Sequence, residues 1–192
     1  MIDYYIHQIG DIKNEKTYEK LLSIIKSKMI CSREFLEKQG IKFENENPSF
    51  KLDIPDDKKW MYYEEDIRKD RVSLSDPQNR HIKRAIERKD HQFISCFDYD
   101  YIAFAISRNV PIVPNEQTHG LAIGEVQVQD KIDSDYIVGL IMPIPGEQSL
   151  DEKIFQIIDA IAKICEENDF PLDIYNYEGE LIRQKNVDRL KK

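Results

Sequence analysis

Residues 121 to 142 read Leu121-Ala-Ile-Gly-Glu-Val-Gln-Val-Gln-Asp-Lys-Ile-Asp-Ser-Asp-Tyr-Ile-Val-Gly-Leu-Ile-Met142. Apolar and polar residues alternate in the first part, so a strand there puts Val126 and Val128 on one face and Glu125, Gln127 and Gln129 on the other. Tyr136 to Met142 is a nearly continuous apolar run, the pattern of a strand covered on both faces. The stretch predicts strand, short connection, strand, with one acid, Glu125, at the head of a polar face on a core strand.

Working outward, Ile2 to Ile9 is aromatic and β-branched and predicts a first strand carrying His7. Apolar residues from Tyr18 through Leu21, Leu22, Ile24 and Ile25 to Met29 follow helical spacing behind Asn14, an N-cap. Ser32 is placed to cap a second, short helix. Residues 40–57 predict an irregular connection or lid, 58–70 a helix with Trp60, Tyr62 and Tyr63, and Arg71 to Ser75 a strand. A helix over 78–90 and strand-like pieces at Phe93 to Phe97 and Tyr101 to Ile106 follow. Ser149 and Glu152 form a capping box ahead of an amphipathic helix whose stripe is Ile154, Ile157, Ile158, Ile161 and Ile164. Leu172 to Tyr175 and Glu180 to Ile182 predict a hairpin, and 185–192 a basic tail. Strands and helices are interspersed without regular alternation, so the class expected is α+β, one domain spanning 1–192.

The 192 residues, 41% of them hydrophobic, suffice for one sizeable core, and a net charge of -8 opposes the broad electrostatic grip of a nucleic-acid binder. Lys83, Arg84 and Arg88 form a local basic patch that reads as the solvated face of a helix. Three scattered cysteines without a Cys-x-x-Cys pair suit a reducing compartment, and no apolar run is long enough to span a bilayer. A cytoplasmic protein without a membrane partner is expected. No grouping of His, Cys and acids has zinc-ligand spacing.

The order of the chemistry-bearing residues is the more specific signal. His7 lies on the first strand, and Leu22-Ser23-Ile24-Ile25 through Ile30 leads to Ser32 and Arg33. Val72-Ser73-Leu74-Ser75 follows, then Glu125 ahead of Val126 and Val128, with the turn and strand of residues 130–141 behind it. Over residues 2 to about 142 this order resembles the ADP-ribosyltransferase superfamily, most closely its branch of nucleic-acid-modifying bacterial toxins. The resemblance implies a split mixed or antiparallel β core flanked by helices, NAD as the substrate, and a role as a toxin, effector or defence protein. It makes Glu125 the catalytic residue, holding the 2'-hydroxyl of the nicotinamide ribose. His7 would donate to the adenosine ribose, Ser73 or Ser75 would support the pocket or the glutamate, and Arg33 would clamp the pyrophosphate. The acceptor is a macromolecule, protein or nucleic acid. Ile123 stands where arginine-modifying members carry a second acid, which disfavours arginine as that acceptor.

Two other classes fit the same residues. One is a small α+β ribonuclease-like toxin using His7, His119 and Arg33. The other is a non-catalytic binding or immunity-like protein whose acidic surface meets a basic partner. Loss of nicotinamide release on changing Glu125 separates the first reading from both.

Overall fold

The structure, a computed structural model, describes residues 3–41, 70–89, 97–114, 124–144 and 152–185. The elements run β1 (Tyr4–Asp11), α1 (Glu15–Ser27), β2 (Met29–Cys31), α2 (Arg33–Lys38), β3 (Arg71–Ser75), α3 (Arg80–Arg88) and β4 (Tyr101–Ser107). They continue as β5 (Glu125–Gln129), β6 (Lys131–Asp133), β7 (Ile137–Ile141), α4 (Glu152–Glu167), β8 (Asp173–Tyr175) and β9 (Leu181–Arg183). The α+β class expected is the one observed. Nearly all of the segment 40–57, the helix expected from residue 58, residues 93–96, the loop with His119, the capping box at Ser149 and the tail beyond Lys185 lie outside the described residues.

Local chemistry explains where the elements begin. The Asn14 side chain accepts from Lys16 N at 3.0 Å and starts α1, and Ser32 Oγ accepts from Phe35 N at 3.2 Å and starts α2. Lys28 closes α1 in the left-handed region at φ 56°, its N–H bonded to Ile24 O. The helix expected to reach Met29 therefore stops at Ser27, and the chain is free to extend as β2.

Seven strands form one sheet in the order β5-β3-β1-β4-β7-β8-β9, and β2 pairs with β6 apart from it. Neighbours are antiparallel except β7 and β8, which run parallel across the connection that contains α4. One face buries Leu21 and Ile25 of α1 and Ile158 and Ile161 of α4 with Tyr5, Ile9, Leu74, Phe104 and Leu140. The other packs Ile82, Ala85 and Ile86 of α3 on Ile6, Ala103, Ala105 and Ile141. No described helix is long and apolar enough to cross a membrane.

Past α4, the hairpin of β8 and β9 carries Tyr177, which is fully buried in its connection. Its ring meets Phe97 edge-on at 5.1 Å and Tyr99 at 5.2 Å. Its hydroxyl donates to the Tyr101 carbonyl at 2.6 Å and accepts from Gln8 Nε2 at 2.8 Å. Burial raises this phenol far above the ordinary tyrosine range, so it stays a neutral donor.

Candidate functional site

Glu125 opens β5, the strand on one margin of the sheet. The preceding Gly124 has φ 80°, and a Cβ there would stand 2.7 Å from Ile82 Cγ1 and 3.2 Å from Asn79. Glycine is thus required to bring the chain past the start of α3 and into the strand. The bond from Asp76 N to Gly124 O, 2.7 Å, fixes that entry.

Register then sets the neighbours. Ser75 is opposite Glu125 and Ser73 is opposite Gln127. Ser73 Oγ donates to Glu125 Oε1 at 2.6 Å, and Gln127 Nε2 donates to the same oxygen at 3.2 Å. Glu125 is 5% exposed and Gln127 4%, whereas Ser73 is exposed. Of the polar face read from the alternation, Glu125 and Gln127 are therefore covered by protein, while Gln129 and the neighbouring Ser73 are exposed. A carboxylate taken out of water needs such donors, because burial without them carries a desolvation cost of several kcal/mol.

His7 meets the same serine from the other side. Its Nδ1 lies 3.0 Å from the Ser73 carbonyl oxygen, an acceptor only, so Nδ1 carries the proton and donates. Burial, with a smaller contribution from the Lys20 charge, lowers the imidazole pKa, against the pull of the Ser73 bond that raises it. Neutral His7 then presents Nε2 as an acceptor. The Nδ1 proton is thus engaged by the Ser73 carbonyl, and Nε2 is left with a lone pair.

Because the folded imidazole titrates below its ordinary value near 6.5, the unfolded chain binds the extra proton between the two values. His7 therefore adds stability that is complete above the unfolded value and lost as pH falls through the folded one. Denaturant titrations at a series of pH values below neutral are expected to show a shallower loss of stability in His7→Gln than in the parent protein.

The five residues expected at the site fall into two groups. Ile6 pairs with Ser75, so Ser73, Ser75 and Glu125 share the face of Ile6, whereas His7 leaves β1 on the side of Tyr5 and Ile9. His7 and Arg33 line a cavity of about 780 Å³ between β1, α1, β2 and α2, with Ser23, Ile24, Phe35 and Lys131 also in its wall. Glu125, Ser73 and Ser75 are not in that wall. The groups meet at Ser73, whose hydroxyl holds Glu125 and whose carbonyl holds His7. They meet where β1 and β3 part, since their recorded pairing is confined to Ile6 and Ser75. Gln127 is the partner sequence reasoning missed as such. Its i+2 spacing from Glu125 on one strand face was the available signal. No protein-family model matches the chain, and neither does any curated protein or solved structure.

Proposed function

We propose that the protein is an NAD-dependent ADP-ribosyltransferase that breaks the nicotinamide–ribose bond and passes ADP-ribose to a macromolecular acceptor. The observation that carries this reading is the double use of Ser73, by hydroxyl to Glu125 and by carbonyl to His7. In this reading the adenosine end of NAD lies in the cavity by His7 and Arg33. The nicotinamide ribose lies at Glu125.

Departure of nicotinamide takes the bonding pair with it and leaves positive charge on the ribose ring. A carboxylate fixed at the ribose hydroxyls stabilises that charge more than it stabilises the neutral sugar, which is the condition for catalysis. The acceptor's nucleophile then bonds to the anomeric carbon and releases its proton to water. Ser73 and Gln127 act through Glu125 by holding one of its oxygens still. Ser73→Ala is expected to lower kcat on the order of 10²-fold with little change in KM, because the loss is one of aim. Steady-state kinetics on NAD, with Ser73→Thr as the variant that keeps the hydroxyl, checks this. The decisive test of the reading is nicotinamide release by the parent protein beside Glu125→Gln.

A further inference from the structure

The chain carries 36 acidic against 28 basic residues, yet among the described residues no acid lines the cavity beside His7. Its charged lining is Lys20, Arg33 and Lys131. Two of these cations are already matched at the rim. Arg33 Nε donates to Glu37 Oε1 at 2.9 Å, and Lys131 Nζ to Asp133 Oδ1 at 2.7 Å. Among the described residues no acid forms an ion pair with Lys20.

Position reinforces the charge. Lys20, Ser23, Ile24 and Ser27 stand at i, i+3, i+4 and i+7 on α1, one face of the helix, and all four line the cavity. The face thus presents an ammonium and two hydroxyls. Ile9, Ile24 and Phe35 supply apolar wall. A concave surface with one unmatched cation, hydroxyl groups and an apolar, partly aromatic wall suits a ligand with an anionic middle and a flat apolar end.

We propose that Lys20 is the principal anion contact of this cavity, gripping the diphosphate of a nucleoside diphosphate group whose nucleoside end lies toward Phe35. As the diphosphate of NAD it rests on the transferase reading, but the contact has a test of its own. Arg33, tied to Glu37, plays the lesser part in this grip.

The experiment is calorimetric titration of the purified chain with ADP and with adenosine, which share a nucleoside and differ in charge. The parent protein is expected to bind ADP at least about tenfold more tightly than adenosine. Lys20→Met is expected to remove that difference and leave adenosine affinity unchanged, and Lys20→Arg to restore it. Lys20 is exposed on α1, so thermal unfolding of the variants should match the parent. The proposal is overturned if Lys20→Met binds ADP as the parent does, if ADP binds no better than adenosine, or if neither binds. Nicotinamide release on the same samples keeps the two ideas apart. Lys20-dependent ADP binding without release upholds the anion contact and removes the transferase; release that is indifferent to Lys20 does the reverse.

Discussion

Glu125→Gln is expected to slow nicotinamide release from NAD by at least about 10²–10³-fold, the scale seen when one preorganised electrostatic contact to a transition state is removed. Glutamine has the shape of glutamate, and its carbonyl oxygen can accept the bonds that Ser73 Oγ and Gln127 Nε2 now make to Oε1. The fold and the NAD-dependent rise in melting temperature should therefore persist while kcat falls. That pattern marks a charge used in the transition state and not in ground-state binding. Equal release by parent and variant would remove Glu125 as the catalytic residue, whereas no release by the parent would sink the transferase reading and leave the binding-protein class in its place.

Tyr177→Ala is expected to cost about 3–5 kcal/mol for the lost ring, the usual scale for emptying a buried aromatic site. A further ~1–3 kcal/mol follows from stripping a partner from the Gln8 amide and the Tyr101 carbonyl. Against the roughly 5–15 kcal/mol that holds a domain together, this single change brings the protein close to its unfolding threshold. Tyr177→Phe keeps the ring contacts with Phe97 and Tyr99 and should lose only the hydrogen-bonding part. Urea unfolding of the two variants beside the parent separates packing from polar satisfaction. A small loss in Tyr177→Ala would mean that the hairpin docks independently of its tyrosine.

Tyr177 also shows where the sequence stops being legible. Residues 176–179 carry Asn and Gly and read as a connection, which they are; that the tyrosine between them plugs a core depends on Phe97, Tyr99 and Gln8, all distant in the chain. β2 and β6 escaped notice for a similar reason. Each is three residues long with one residue at its centre, Ile30 or Ile132, that is essentially buried, and among the described residues they pair with each other alone. No periodicity exists in three residues. Longer elements declared themselves: β3 and β5 begin and end where alternation puts them, and the Ile stripe of α4 packs on the core. For the site, alternation put Glu125 and Gln127 on one face but carried no information on what covers it. The meeting of Ser73 with both Glu125 and His7 required the strand order, which no local pattern encodes.

The place of β1 within the sheet governs the order of events in synthesis. It precedes both of its partners by a long stretch of chain: Ile6 pairs with Ser75, and Tyr5 with Ile106. α1 follows at once and can cover Tyr5 and Ile9, but the pairing of β1 is complete only when β4 has been made. Closing the sheet around β1 is therefore a long-range event, the kind of contact whose loop-closure entropy slows folding.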